Sequence, residues 1–243
     1  MEKSNNESIK KNQNNSSFGK RFVPGVLLIA LAVFLSQVPF VWFAIFFLAV
    51  IIILFFVGGR EIKNNRKRID TKKQDIVQKI FSIHFGLSLL LICFLGLDVF
   101  GGKGQYWFSS AIIIAGIGVD MSAYLAGNLW KRFGKVHKLA SVISPGKTVE
   151  GAVVSFITAP ILSWLLGTTF LSLNWYVAIL LGFAIAISAT LGDLFESYYK
   201  RTMGIKDSGT FFGGHGGVLD RIDSHLGAAY IVVGIRILVS LIG

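Results

Sequence analysis

The run FVPGVLLIALAVFLSQVPFVWFAIFFLAVIIILFFV, from Phe22 to Val57, holds 36 residues without one charge. Built as a single helix it would measure about 54 Å at ~1.5 Å per residue, against a membrane hydrocarbon core of roughly 30 Å. It therefore has to break, and Ser36-Gln37-Val38-Pro39 is its one polar, proline-bearing stretch. The reading is a hairpin that enters and returns on one side, its first leg, Phe22–Ser36, short for a full span.

Five further apolar runs follow, Ile76–Val99, Tyr106–Leu129, Gly151–Phe170, Trp175–Leu194 and Leu226–Ile242, each near the ~20 residues a spanning helix needs. With the hairpin counted as two, the fold class expected is an all-α, polytopic integral membrane protein of about seven transmembrane helices. Composition agrees: of 243 residues, 53% are hydrophobic and 15% charged, where a soluble domain carries about 25% charged residues. That excludes an ordinary soluble globule and a disordered chain alike. A single cysteine, Cys93, excludes a disulfide framework and a cysteine zinc site.

The net charge of +11 does not point to nucleic acid, because its placement matters more than its sum. Of 24 Lys and Arg residues, 22 lie in four segments: before Phe22, over 58–79, over 130–150 and over 193–223. The alternate connections hold only Lys103, and Arg236 sits within the last run. The positive-inside rule then places the amino terminus and all four basic segments in the cytoplasm. Trp42, Trp107 and Trp175 fall at outer span ends and Trp130 at an inner one, as an aromatic belt requires. The expected organisation is a disordered basic tail over 1–21, amino-terminal transmembrane helices over 22–99, and a catalytic transmembrane domain over 100–243 with cytoplasmic loops. No cleavage site for a signal peptide follows the first apolar leg.

Three polar groups need explaining. Asp120 lies about ten residues inside its run, roughly 15 Å from the inner end, where a carboxylate is kept for a cavity or a partner. Tyr124 and Asn128 follow it on the same helical face. The second group is Ser144-Pro-Gly-Lys147-Thr-Val-Glu150-Gly, read as a turn feeding a helix amino terminus. Its free N–H groups attract anions and Lys147 adds a full charge. It is not a P-loop, since the first glycine of that motif would fall on Ser141; a helix cap with a surface lysine is the plainer alternative. The third group runs from Gly192 to Asp223. Asp193, Glu196 and Lys200 share a helix face by i+3 and i+4 steps, and Asp220 and Asp223 are paired at i+3. Carboxylates interleaved with cations suit a divalent metal meeting a nucleotide's phosphates, and the glycines around His215 allow backbone to approach a ligand. A solvated loop with surface salt bridges is the competing reading.

These residues resemble the phosphatidate cytidylyltransferase (CDP-diacylglycerol synthase) family. Ser197, Lys200, Arg201, Lys206, Asp207, Gly209, Phe212, Gly213, His215, Gly216, Gly217, Val218, Asp220, Arg221, Ile222 and Asp223 fall on the family's 27-residue signature. Tyr199 departs from it, standing where an aliphatic residue or Phe is usual. Asp120-Met-Ser-Ala-Tyr124 and Ser144-Pro-Gly-Lys147-Thr-Val-Glu150-Gly resemble two upstream motifs, with Val149 in place of a usual Trp. The resemblance covers Ser110 to the end.

What it implies is CTP plus phosphatidic acid giving CDP-diacylglycerol and diphosphate. It implies Mg²⁺ on Asp193, Asp220 and Asp223 with Asp120 beside them; a second, monovalent cation and a homodimer are left open. Lys147, Lys200, Arg201 and Arg221 would meet phosphates, with Ser144 and Tyr124 at the substrate. Lys206 and Asp207 would order the loop, and His215 would relay a proton or prop the glycine turn. The tail and the 58–75 segment would attract anionic lipid, phosphatidate included. His84, His137 and His225 read as structural or surface residues. The rivals are a sister cytidylyltransferase acting on another lipid phosphate and, from another class, a membrane transporter; the latter leaves the acid–base segment unexplained.

Overall fold

The computed structural model describes residues 40–96, 113–134, 136–212 and 216–242, together with residues 30, 34, 106, 110 and 111. Helix α1 (Phe40–Arg66) is the second leg of the long apolar run, carried past Val57 into the basic segment. The chain then turns, and a capping box starts α2 (Lys72–Gly96). Gln74 N donates to Thr71 Oγ1 at 3.2 Å and Thr71 N donates to Gln74 Oε1 at 3.0 Å. A π-helical segment, Ile114–Met121, runs directly into α3 (Ser122–Phe133). An antiparallel hairpin follows, β1 (Lys138–Ala140) with β2 (Ser144–Thr148), pairing Lys138 with Thr148 and Ala140 with Ser144. Helices α4 (Val149–Phe170), α5 (Trp175–Thr202) and α6 (Leu219–Ile242) complete the chain.

The protein is an all-α, polytopic membrane protein: α1, α2, α4, α5 and α6 are each long and apolar enough to cross a bilayer. The run expected over Tyr106–Leu129 is described in part, as the π-helical segment and α3. The basic tail over 1–21 lies outside the described residues, as does the leg Phe22–Ser36 apart from Ala30 and Phe34.

Two helices extend beyond their apolar runs, and one segment is corrected. Helix α5 carries the apolar run past Leu194 to Thr202, so Asp193, Glu196 and Lys200 share a helix face as read. Its polar residues pair with one another and with neighbours, so the fall in hydropathy does not stop the helix. Helix α6 starts at Leu219 rather than Leu226, because its first turn is held by a side chain from α1 (below). The segment read as a turn before a helix, Ser144–Thr148, is an extended strand. Pro145 falls between the paired positions, so the ladder loses no donor to it. The helix start after it is as expected: Thr148 caps α4 by accepting from Gly151 N at 3.1 Å.

Helix α5 is the axis of the bundle. Toward one end, Leu181, Ile185, Ala186 and Ala189 pack with Ile114, Val119, Ala159 and Val232. Toward the other, Tyr199 and Met203 join Ile62, Phe81, Phe85 and Leu226. Tyr199 stacks on Phe81 with ring centroids 4.0 Å apart, and its hydroxyl donates to Gln78 Oε1 at 2.9 Å. Gln78 Nε2 donates in turn to Ile62 O at 2.8 Å, so one buried polar chain ties α5, α2 and α1 together.

The α5–α6 crossing is close because glycines face each other there. A Cβ on Gly192 would stand 2.7 Å from the Asp223 carbonyl oxygen, and one on Gly227 would collide with the carbonyl of Ser188. Gly227→Val is therefore expected to push the helices apart, costing about 1–3 kcal/mol by overpacking and separating Asp193 from Asp223. A lower thermal midpoint in detergent checks this; an unchanged midpoint would show that the crossing has slack.

Candidate active site

The acid–base cluster assembles where α5, α6, β2 and the loop between α5 and α6 meet. Asp193 and Glu196 lie one turn apart on α5, with Lys200 one turn further. From β2, Lys147 reaches across to Asp193, with Nζ 2.6 Å from Oδ2. Lys200 Nζ sits between two carboxylates, 2.5 Å from Glu196 Oε2 and 2.6 Å from Asp220 Oδ1. Both partners are buried, Glu196 to 1% exposure, so water screens this three-membered array weakly.

Asp220 also organises the loop. Its Oδ2 accepts from Ser208 N at 2.8 Å, Ser208 Oγ at 2.9 Å and Gly217 N at 2.7 Å. Gly216 has φ +86°, and a Cβ there would stand 2.6 Å from the same oxygen. Glycine is demanded twice over, by backbone and by space.

Asp120 comes from the π-helical segment, a local widening often found at functional sites. Its Oδ2 accepts from Ser224 Oγ at 2.5 Å, and Ser224 N donates to Asp223 Oδ1 at 2.8 Å. Asp120, Asp193, Glu196 and Asp223 are close enough to act on one another electrostatically. Four carboxylates thus gather beside Lys147 and Lys200, and Glu196 Oε1 is buried with no hydrogen-bond partner among the described residues. Oxygen-only donors with excess negative charge fit a hard divalent cation such as Mg²⁺. As placed, no three Asp, Glu, His or Cys side chains among the described residues converge on one ion position. Asp193 is held by Lys147, and both oxygens of Asp220 are engaged.

Other residues singled out in the sequence are placed as follows. Arg201 is exposed; its Nε donates to Ile143 O at 3.2 Å and its Nη1 to Ile205 O at 3.3 Å, tying the hairpin to the turn after α5. Lys206 and Asp207 are exposed on the loop, while Ser144, Tyr124 and Arg221 are half-buried. His215, with Gly213 and Gly214, lies outside the described residues. His84 is a packing residue whose ring stacks on Tyr230 and hydrogen-bonds its hydroxyl at 3.0 Å. His137, exposed, pairs with Glu150 at 2.8 Å.

Sequence reasoning missed Glu61. It stands on α1 within a basic run, yet is buried to 7% exposure. Its Oε1 accepts from Val218 N at 2.9 Å, and its Oε2 from Leu219 N at 3.2 Å and Ser208 Oγ at 3.1 Å. A carboxylate from α1 thus caps α6 and grips the loop that Asp220 holds from the other side. Asn65, one turn on, donates to Ser208 O at 3.1 Å. The one signal available in sequence was a lone acid in the stretch Arg60-Glu61-Ile62-Lys63.

A model of the cytidylyltransferase family matches residues 6–238. Phosphatidate cytidylyltransferase of Helicobacter pylori J99 is 38% identical over 148 residues, which are 59% of this chain and 54% of that protein. The protein of the same name from Staphylococcus aureus COL is 43% identical over 126 residues, 51% of this chain and 46% of that one. The uncharacterized protein YnbB of Escherichia coli K12 is 44% identical over 100 residues, 41% of this chain and 34% of its own length. The chain spans about half the length of the curated relatives it matches.

Proposed function

The chain belongs to the cytidylyltransferase family, and from that premise we propose that it transfers the cytidylyl group of CTP to phosphatidic acid, leaving CDP-diacylglycerol in the membrane and releasing diphosphate. The observation that carries the reading is the array of Lys147, Asp193, Glu196, Lys200 and Asp220. It sets buried and half-buried cations beside a surplus of carboxylates at one end of a membrane bundle.

In the reaction an oxygen of the lipid phosphate forms a bond to the α-phosphorus of CTP. The bond from that phosphorus to the α,β-bridging oxygen breaks, and diphosphate leaves with the electron pair. The phosphate nucleophile is already ionised near neutrality and needs no general base. The protein's work is positioning and neutralising charge. Lys147, on a strand rather than a long flexible loop, would meet a phosphate on leaving Asp193, and Lys200 on α5 and Arg221 on α6 would add positive charge. Asp193, once released by Lys147, would have to draw together with Asp223 and Asp120 to hold Mg²⁺, which when bound would supply positive charge to the triphosphate. Asp220, whose oxygens are already taken, keeps the loop in register. The basic segments would face the cytoplasm, where CTP is found, as the distribution of Lys and Arg requires.

The purified chain, in micelles holding phosphatidate, is expected to convert CTP to CDP-diacylglycerol and diphosphate with Mg²⁺ and to stop when EDTA is added. Lys147→Ala should lower the rate on the order of 10²-fold, the usual cost of removing one stabilising charge. Folded protein that leaves CTP untouched would overturn phosphatidate as the acceptor, and a polyprenyl or ether-lipid phosphate would be assayed next.

A further inference from the structure

A second charged feature lies apart from this array. Between the basic end of α1, residues 78–86 of α2, and residues 204–211 with Gly216 is a cleft of about 1940 Å³. Arg60, Lys63 and Lys67 line it at i, i+3 and i+7 of one face of α1 and the turn after it, with Arg66 beside them. Lys79, Ile83 and Gly86, likewise one face of α2, form the opposite wall. Seven cationic side chains line the cleft against two carboxylates, Glu61 and Asp207. Glu61 is committed to the backbone of α6. Among the described residues, Arg60, Lys63, Arg66, Lys67 and Lys206 have no carboxylate partner, whereas Lys79 pairs with Asp75 at 2.6 Å.

Helix-end electrostatics accounts for part of this, since Lys63 and Arg66 close the last turn of α1. It does not account for Arg60, which lies before that last turn, or for Lys206 on the facing loop. Like charges at these spacings repel, so an arrangement that concentrates them around a cavity calls for an anion in it. The cleft's other border is apolar: Phe55, Phe56 and Ile83 line it and are more than half exposed. In a membrane protein those side chains face acyl chains. A ligand that satisfies both borders has a phosphate head and a hydrocarbon tail.

We infer that this cleft docks the headgroup of an anionic phospholipid, with a phosphomonoester as its best-matched ligand. None of Lys147, Asp193, Glu196, Lys200 or Asp220 lines it. Ser208 stands between the two regions, its Oγ bonding Glu61 on the cleft side and Asp220 on the other. Lipid is thereby gathered on one side of Ser208 while the carboxylates stand on the other. The inference rests on the proposed function only for the natural lipid's identity, phosphatidate.

The test is lipid retention by the full chain in neutral detergent, read by native mass spectrometry with dioleoyl phosphatidate, dioleoyl phosphatidylcholine or inorganic diphosphate. Arg60→Gln/Lys63→Gln/Arg66→Gln/Lys67→Gln removes four exposed charges and should weaken phosphatidate retention on the order of 10²-fold, leaving phosphatidylcholine unchanged. CTP binding, followed by calorimetry, should persist in that variant, showing that the fold survives. Arg60→Lys/Arg66→Lys, which keeps the charge, should hold phosphatidate as the parent does. Equal retention by parent and four-site variant would overturn the inference. So would binding of diphosphate without phosphatidate, which would make the cleft a site for free anions. Phosphatidate retention in a chain that never forms CDP-diacylglycerol would support the cleft and sink the proposed reaction instead.

Discussion

Lys200→Met is expected to eliminate measurable turnover and to destabilise the folded protein by about 3–5 kcal/mol, the cost of leaving buried charges without their partner. Lys200 Nζ lies between Glu196 and Asp220, at 2.5 and 2.6 Å, and all three side chains are largely buried. Removing the ammonium leaves two carboxylates facing each other in a weakly screened site. Asp220 then also loses its hold on Ser208 and Gly217, since a repelled carboxylate cannot keep the geometry of three N–H and O–H donors. Stability and catalysis can be separated by adding Glu196→Gln to Lys200→Met. That double variant removes the repulsion without restoring the cation, so its thermal midpoint should recover in part while its rate does not. A single variant with parental midpoint and rate would show that the array is neither structural nor functional.

How much of this could be read in the chain follows from how local each feature is. Spans depend on runs of about 20 residues, so α4 was read within two residues of its start and at its end. The pairing of Glu196 with Lys200 is an i, i+4 relation within one helix and was equally legible. The contact of Lys147 with Asp193 joins two elements 46 residues apart. Its partners were singled out by chemistry, and only the fold shows that they touch. The hairpin before α4 was illegible for a different reason: Pro145 and Gly146 argue against a strand, and the pairing with β1 overrides that preference. The apolar run ends at Leu194 while α5 continues to Thr202, because hydropathy marks where a membrane would end, not where a helix does. Asp193, Glu196 and Lys200 remain helical by pairing among themselves and with β2 and α6.

Glu61 is the extreme case, and it carries the second large expected effect. Its partners lie 147 to 158 residues away in sequence, and it stands in a basic stretch between Arg60 and Lys63, so composition points to solvent. In the fold, its carboxylate meets the first N–H groups of α6, which have no acceptor within the helix, and adds a negative charge where the helix dipole favours one. Glu61→Ala leaves Val218 N and Leu219 N without their acceptor in a buried place, while Ser208 Oγ keeps Asp220. At ~1–3 kcal/mol for each unsatisfied donor, and with incomplete additivity, the expected loss is about 3 kcal/mol. Glu61→Gln is the more telling substitution because it preserves volume. One amide oxygen still accepts, but the amide nitrogen turns a donor toward donors, so the loop shifts while the helix still docks. Asp220 shares Ser208 with Glu61, so the shift reaches the acid–base array without any change in its residues. Turnover in Glu61→Gln should fall on the order of 10- to 100-fold, with the KM for CTP altered far less, because misplaced groups cost most in the transition state. A purely structural role would instead lower the amount of folded enzyme and leave the turnover of each folded molecule intact. Parental turnover in folded Glu61→Gln would therefore reduce Glu61 to a helix cap, and Asp220 alone would have to keep the loop in place.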